Sequence, residues 1–319
     1  MAATNTVYNA TLSAIATAYA PGHFIADEVC KTIIVDSPAG RFQKLSRADT
    51  TTPYDAERAE NGEARELDWS VAPDTYLTVD YANKVVTSQK QVDAAAKSGS
   101  PLRPLEQAAE RVKHNLWLLR EIRVATMYQT AGNYAAGYSV NATAVWSNTS
   151  TGVPVSDIDS ARALLPPTTG ESELVLIVSL EAAQAMRKHP NFIGAGALRP
   201  VASMDEMASI LGVDRVLVTD AQKNTANPGQ AVSHSRIWDR TKAVLTRVPK
   251  SEFVQGDRVE GFCATFRFPI DGAGSEIGVR QYDWQIRGQG GSVIVEAEHS
   301  DADKVLMSDQ AVLINAVLA

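Results

Sequence analysis

One long amphipathic helix limits the folds that this chain can adopt. Apolar residues recur at the i, i+3, i+4, i+7 spacing across residues 101–129. The pattern predicts about 26 residues of helix, or about 40 Å at 1.5 Å per residue. No other stretch predicts a helix of comparable length, which disfavours a bundle, so we predict a spine lying across a sheet. The apolar stripe is Leu105, Ala108, Ala109, Val112, Leu116, Leu119 and Ile122, and Glu106, Glu110, Lys113 and Arg120 lie off it.

Runs typical of β-strands dominate the sequence after Lys250. They are divided by Gly and Asp turns, which is typical of successive strands in one sheet. We predict that these runs build the sheet beneath the long helix. The runs are 262–268, 282–286, 292–297 and 311–314.

A small α/β unit is predicted between the helix and that sheet, at residues 156–245. Residues 173–179 form an apolar run short enough for a central strand. Ser203 and Glu206 have capping-box spacing, and Gly212 is a natural residue to end that helix. The unit is therefore an insertion, and the helix and the later strands form one discontinuous domain.

Residues 41–84 predict two strands joined by a polar tip. Leu67, Trp69 and Val71 alternate with small or polar residues, and Pro73 then interrupts the run. The tip, 49–66, is rich in Thr and charge and has too little apolar surface to fold by itself. Because a two-stranded ribbon is marginal in water, it needs its own core or a neighbouring subunit, and we favour the neighbour.

Charged residues of this ribbon are the candidate intersubunit contacts. Carboxylates alternate there with arginines, which is typical of an ion-pair surface. Such pairs contribute little when exposed, and they become specific when a partner desolvates them. The candidates are Arg47, Asp49, Glu57, Arg58, Glu60, Arg65, Glu66 and Trp69.

The sequence contains no reactive constellation that we recognise. Its five histidines are scattered, and no pair has the i, i+3 or i, i+4 spacing of metal ligands. The two cysteines, Cys30 and Cys263, predict buried thiols in a reducing compartment. No glycine-rich run completes a phosphate-binding motif, and no Gly-x-Ser-x-Gly elbow occurs. We predict no enzymatic activity, no cofactor and no metal.

Charge and hydropathy argue against three further classes of protein: nucleic-acid-binding, exported and membrane-spanning proteins. The chain has 319 residues, a formal net charge of −7 and a pI of about 5.3. Proteins that grip nucleic acid normally carry a basic surplus, which is missing here. The amino-terminal stretch lacks the basic segment of a signal peptide, and no apolar run reaches the roughly 20 residues of a spanning helix. We predict a soluble chain, made inside the cell and not bound to a membrane.

The order of motifs between Leu174 and Lys250 resembles the major capsid proteins of tailed bacteriophages. The central motif is Ala208-Ser-Ile-Leu-Gly-Val-Asp-Arg-Val-Leu-Val218, with His189-Pro190 before it and Ile237-Trp238, assigned to a strand, after it. The resemblance implies the α+β Hong Kong-type phage coat fold. Its segments here would be an N-terminal arm at 1–40, an extended β-ribbon loop at 41–84, a peripheral domain with the spine helix at 85–155, an axial α/β domain at 156–245, and the rest of the peripheral domain at 246–319.

The same resemblance implies the function of a shell subunit. Hexamers and pentamers of this chain would close into an icosahedral capsid around double-stranded DNA, without sequence-specific binding. Expected partners are other copies, a scaffolding protein, the portal and a decoration protein, in the virion and in the host cytoplasm during assembly. In some members a loop lysine bonds covalently to a neighbour's asparagine, but this ribbon tip has no lysine and Lys44 lies near the base. We expect no such cross-link.

Other functions remain open at this stage. An encapsulin-like nanocompartment shell would keep the fold and enclose cargo enzymes instead of a genome. An α/β enzyme with an unrecognised site would stay a small oligomer and bind a ligand tightly. A tail or baseplate protein would form rings or tubes.

Overall fold

The structure is a computed structural model of the chain. It describes residues 9–18, 23–44, 72–98, 103–167, 170, 172–193, 201–227, 229–250, 253–254, 261–270, 277–284 and 291–319. No helix within these ranges is long and apolar enough to cross a membrane.

Helices and strands alternate irregularly along the described ranges. The helices are α1 Ala10–Ala18, α2 Ala26–Val29, α3 Gln89–Ser98, α4 Pro104–Gln129, α5 Pro154–Leu164, α6 Leu180–Arg187 and α7 Met204–Leu211, with a 3₁₀ turn at Ala131–Asn133. The strands are β1 Lys31–Ile34, β2 Ala39–Lys44, β3 Ala72–Leu77, β4 Val79–Ser88, β5 Ser139–Asn141, β6 Ser172–Ser179, β7 Arg215–Thr219, β8 Gln222–Asn224, β9 His234–Arg236, β10 Ala243–Pro249, β11 Phe253–Val254, β12 Cys263–Phe268, β13 Gly278–Trp284, β14 Ser292–Val305 and β15 Ala311–Asn315.

The first sheet is built around the 14-residue strand β14. Its order is β11-β1-β12-β14-β13, and β4 pairs with β14 on the opposite side. The strands β12 and β13 lie end to end along one edge of β14, since they pair with 300–305 and 292–298. On the other edge, β4 pairs with 292–301. The hairpin β2-β3 and the pair β8-β9 are separate two-stranded sheets.

The long helix α4 lies across this sheet, which confirms the predicted spine. It has 26 residues, and Pro104 occupies its first turn, where the missing N–H costs nothing. Its apolar stripe packs on Val279, Val295 and Ala297, and α1 covers the same cluster with Leu12. Burial of this stripe therefore fixes the helix on the sheet.

Burial along α4 differs from the predicted stripe at several positions. Lys113 and Arg120 are buried, as is Glu121, whereas Leu119 is 40% exposed. The buried face of α4 is wider than the apolar stripe because charged groups on the sheet and on the amino-terminal segment pair with it. Hydropathy alone does not show such partners.

The second sheet contains the strands predicted at residues 173–179 and 215–219. Its order is β5-β15-β10-β6-β7, with β6 parallel to β7 and antiparallel to β10. The capping box of α7 forms as predicted, because Ser203 and Glu206 exchange hydrogen bonds with each other's backbone N–H. Gly212 ends that helix at φ +61°, a left-handed conformation that favours glycine.

The strand at residues 311–314 was assigned to the wrong sheet. It forms β15, which pairs with β10 and β5 in the second sheet instead of lying under α4. All four side chains of 311–314 are fully buried. An apolar strand without alternation is typical of a position in a sheet that is covered on both faces.

Candidate intersubunit surface

All eight predicted contact residues lie outside the described residues. Arg47, Asp49, Glu57, Arg58, Glu60, Arg65, Glu66 and Trp69 fall between 45 and 71, and they remain predictions. The structure describes the base of this ribbon, which is the hairpin of β2 and β3. The strands pair antiparallel, from Ala39 opposite Leu77 to Lys44 opposite Ala72.

The base of the hairpin packs through aromatic rings on the first sheet. The rings of Tyr76 and Phe266 stack with centroids 4.6 Å apart, and Phe42 lies 5.0 Å from Phe266. Gly40 lies directly opposite Tyr76, and a Cβ on Gly40 would come within 2.5 Å of the phenol oxygen. The absence of a side chain at Gly40 lets the buried Tyr76 ring lie over the backbone. The ribbon therefore starts from a fixed base.

Apolar side chains are exposed where this hairpin joins β4. Leu77 is 66% exposed and Val79 is 51% exposed, and the two are separated by a single residue. Val86, further along the same edge strand, is 43% exposed. Scattered apolar residues are normal on a surface, but two neighbours beside an edge strand form a patch that a partner can cover.

A buried ion pair holds the first sheet together beneath α4. Arg267 donates from Nε and Nη2 to the two carboxylate oxygens of Asp301, at 2.7 and 2.9 Å. Burial alone would raise the pKa of Asp301, but the charge and hydrogen bonds of Arg267 outweigh burial and lower the pKa to about 2. The pair keeps its charges at neutral pH.

Further charged groups of α4 bind the amino-terminal segment and the sheet. Arg120 is fully buried and pairs with Asp27, and its Nη2 also donates to the carbonyl of Cys30 at 3.2 Å. Arg123 donates from Nε to Asp303 at 2.9 Å. These contacts join segments up to 180 positions apart in sequence. They hold α4, the first sheet and the amino-terminal segment together as one unit, which we call the platform.

Glu121 connects this platform to the second sheet. Its carboxylate accepts hydrogen bonds from the backbone N–H groups of Ile25 and Ala26, at 3.1 and 2.8 Å. Nε1 of Trp238 donates to the other oxygen at 2.6 Å. Burial raises the pKa of Glu121, and the three donors oppose that shift. Ile237 and Trp238 were predicted in a strand, but they follow β9 and lie outside it.

His299 is expected to make the subunit sensitive to acid. It is buried beside Asp301, with Nε2 3.5 Å from the carboxylate. Burial and the charges of Arg267, Arg123 and Arg120 together lower its pKa to about 4, against the attraction of Asp301. The unfolded chain takes up a proton near pH 6.5 and the folded chain does not, so stability falls between pH 6.5 and 4 by up to about 3 kcal/mol.

The variant His299→Phe tests this pH dependence. Urea unfolding at pH 7 and pH 4.5 should show a smaller loss of stability in this variant than in the wild-type chain. His234→Phe, at an exposed position on β9, is the control and should keep the wild-type loss. Equal losses in all three chains would contradict the assignment to His299.

The described residues hold no recognisable catalytic or metal centre. No group of three or more His, Cys, Asp or Glu side chains in these ranges could hold a metal ion. Cys30, at the end of α2, and Cys263, at the start of β12, are free, buried thiols, and burial raises the pKa of Cys30.

Comparison with known proteins identifies the fold and a related phage capsid protein. No family model matches the chain. The major capsid protein of Pseudomonas phage JBD67 is 26% identical over 259 residues, which cover 78% of this chain and 77% of that protein. A phage-related protein from Bordetella bronchiseptica RB50 matches with a TM-score of 0.74 and 18% identity, over 98% of each chain. The capsid structure of the cyanophage P-SCSP1u matches with a TM-score of 0.57 and 12% identity, over 100% of this chain and 93% of that one.

The chain is similar in sequence to a phage major capsid protein and in fold to phage capsid structures. Its fold is the Hong Kong-type coat fold, in which α4 is the spine helix. The similarity to a phage capsid protein supports a structural role and a place in the virion. The same fold also matches the holo-SrpI encapsulin complex from Synechococcus elongatus PCC 7942, with a TM-score of 0.50 and 15% identity, over 99% of this chain and 92% of that one.

Proposed function

We propose that this protein is the major capsid subunit of a tailed bacteriophage. Copies assemble into hexamers and pentamers of an icosahedral shell, and the shell encloses the double-stranded DNA genome. The observation that carries the proposal is the 26% identity to a phage major capsid protein across 78% of the chain. A net charge of −7 fits a container that does not bind its DNA tightly.

The proposal extends to the organisation of the subunit and its partners. We infer an N-terminal arm at 1–40, the ribbon at 41–84, a peripheral domain at 85–155 and 246–319, and an axial domain at 156–245. The pairing of β5 and β15 with the second sheet supports the assignment of these two strands to the axial domain instead of the peripheral one. A scaffolding protein, the portal and a decoration protein are the proposed partners, and assembly takes place in the host cytoplasm.

Negative-stain electron microscopy of the purified chain tests the function. The chain is separated by size exclusion, with and without co-expression of the neighbouring genes. Closed shells, or capsomers that become shells when a scaffold is supplied, are the expected result. A stable small oligomer under every condition would contradict the proposal.

The ribbon arginines are expected to be required for assembly. The triple variant Arg47→Glu, Arg58→Glu, Arg65→Glu places carboxylates where partner carboxylates are proposed to pair. Like charges brought together at a desolvated contact cost several kcal/mol. Shell yield, measured by sedimentation, should fall at least about tenfold, because that cost recurs at every contact between subunits.

A control with the same change in charge lies outside the ribbon. Arg103, Arg111 and Arg240 are exposed, and their replacement by Glu changes the net charge equally. This control should assemble at a yield closer to that of the wild-type chain. A ribbon variant that assembles as well as the control would show that these arginines form no essential contact.

An encapsulin-like shell is the second candidate, favoured by the match to the encapsulin complex. The molecules enclosed in purified particles distinguish a phage coat from a nanocompartment shell. Particles from infected or induced cells should contain double-stranded DNA if the chain is a phage coat. An enclosed enzyme and no DNA would favour the nanocompartment.

A further inference from the structure

The two cysteines of the chain, Cys30 and Cys263, lie side by side in the fold. β1 and β12 pair in parallel, with Lys31 opposite Ala264. Each of these two residues directly follows a cysteine, so the same register places Cys30 beside Cys263. The side chains are also in contact, because the two thiols share a hydrogen bond. Neighbouring strands lie about 4.8 Å apart, within the range of about 4.4–6.8 Å between Cα atoms that a disulfide can span.

Both thiols are enclosed by the core. Cys30 is 0% exposed and Cys263 is 1% exposed. Sγ of Cys30 lies 3.4 Å from Oγ1 of Thr265, and Sγ of Cys263 donates to the phenol oxygen of Tyr128 at 3.3 Å. Burial raises the pKa of Cys30, which keeps it out of the thiolate form that attacks oxidants. The pair therefore reacts slowly, and only a small oxidant can reach it while the subunit stays folded.

The contact lies where the amino-terminal segment enters the first sheet. α2 ends at Val29 and β1 begins at Lys31, so Cys30 is the junction between them. Cys263 is the first residue of β12, which pairs with both β1 and β14. A covalent bond between the two sulfur atoms would fix this junction to the sheet. The hydrogen bond of Arg120 to the carbonyl of Cys30 joins the same junction to α4.

We propose that Cys30 and Cys263 are a site of oxidative modification, at which hydrogen peroxide produces a disulfide within one subunit. One thiol loses its proton and attacks a peroxide oxygen, the O–O bond breaks, and a sulfenic acid and one water form. The second sulfur then attacks the sulfenic sulfur, the S–O bond breaks, and a second water leaves with the proton of the second thiol. The two sulfur atoms together lose two electrons, and the peroxide is reduced to two waters.

The time at which the disulfide forms follows from where the chain is made and where it goes. The host cytoplasm keeps thiols reduced, whereas the medium outside the cell allows disulfides to form and persist. The pair therefore stays reduced during assembly and is oxidised in particles after lysis, which fixes the amino-terminal segment once the shell is complete. This timing rests on the proposed function, but the disulfide itself is a property of the single subunit.

Peptide mapping of peroxide-treated subunits tests the disulfide. Purified, reduced wild-type subunits are treated with hydrogen peroxide, then unfolded in the presence of an alkylating reagent and digested without reductant. Most chains should yield a linked peptide pair that contains Cys30 and Cys263, and dithiothreitol should release it. Two alkylated cysteines would overturn the inference, as would a link between two chains or a sulfinic acid on either residue without a linked pair. The result does not depend on whether shells form, so it leaves the proposed function untouched.

Urea unfolding of the same samples tests whether the disulfide fixes the fold. The midpoint of the oxidised wild-type chain should rise by about 0.5–1 M, because the link constrains the unfolded chain, and it should return to the reduced value with dithiothreitol. Cys30→Ser is the control, since peroxide oxidises its methionines equally but cannot produce the link. A rise of the same size in Cys30→Ser, or no rise in the wild-type chain, would overturn the inference.

Alkylation of particles tests the timing. Particles alkylated at the moment of lysis should carry two labelled cysteines, and particles kept in peroxide after lysis should contain the linked peptide pair. A link already complete at lysis would overturn the timing. A wild-type chain that forms no particle with its neighbouring genes present would remove the proposed function and the timing, whereas the tests on subunits would still decide the disulfide.

Discussion

The variant Asp301→Asn is expected to lower the free energy of unfolding of the subunit by about 3–5 kcal/mol. Asp301 is fully buried and accepts two hydrogen bonds from Arg267, whose side chain is 5% exposed. An amide of the same shape keeps one acceptor but cannot balance the guanidinium charge. The buried cation is then left without its counter-charge, which is the costly outcome for such pairs. Urea unfolding of unassembled subunits at pH 7 measures the change.

An exposed ion pair provides the control for this variant. Arg103 and Glu106 pair at 3.0 Å on the first turn of α4, and the Arg103 side chain is 72% exposed. Arg103→Ala should therefore change stability by less than about 1 kcal/mol. The double variant Arg267→Met, Asp301→Leu removes both charges and should recover part of the loss. An Asp301→Asn variant as stable as Arg103→Ala would show that the buried pair is not important for stability.

The spine helix could be predicted because its signal is local. Residues at i, i+3 and i+4 repeat through seven turns, and Val112 and Leu116 are buried as that pattern requires. The capping box at Ser203 and the left-handed Gly212 are equally local, and both formed as predicted. Sequence therefore predicted those elements whose causes lie within a few residues of each other.

The length of β14 could not be predicted from the same kind of signal. The predicted run ended at residue 297. The residues that follow include acidic side chains, which are rare in strands. The strand continues to Val305 because Asp301 pairs with Arg267 and Asp303 with Arg123. Those partners lie 34 and 180 positions away. Tertiary pairing overrides local propensity here.

The candidate intersubunit surface was predicted only in part. The sequence indicated a ribbon that needs a neighbour, and the structure describes its base on Phe266. The charged residues of the tip lie outside the described ranges and stay predictions. An open groove between α4 and the end of β14 had no sequence signal, because three residues that line it, Leu77, Met127 and Val305, come from distant segments. Only the folded chain brings them together.

Glu121→Ala is expected to destabilise the subunit by about 3–5 kcal/mol, since it leaves three buried donors without an acceptor. Two of these donors are the backbone N–H groups at the start of α2, and the third is the indole of Trp238. The substitution therefore loosens the amino-terminal segment and the second sheet together. Urea unfolding at pH 7 measures the loss.

A double-mutant cycle separates the hydrogen bond of Trp238 from general damage to α4. Trp238→Phe alone should cost about 1–3 kcal/mol, because the carboxylate loses one donor and the ring keeps most of its packing. The double variant should lose less stability than the sum of the two single losses, by at least about 1 kcal/mol, because both single changes break the same bond. Arg111→Ala, at an exposed position of the same helix, should be nearly neutral. Additive losses would mean that Glu121 and Trp238 stabilise the two sheets independently, and that the helix does not couple the two sheets through this bond.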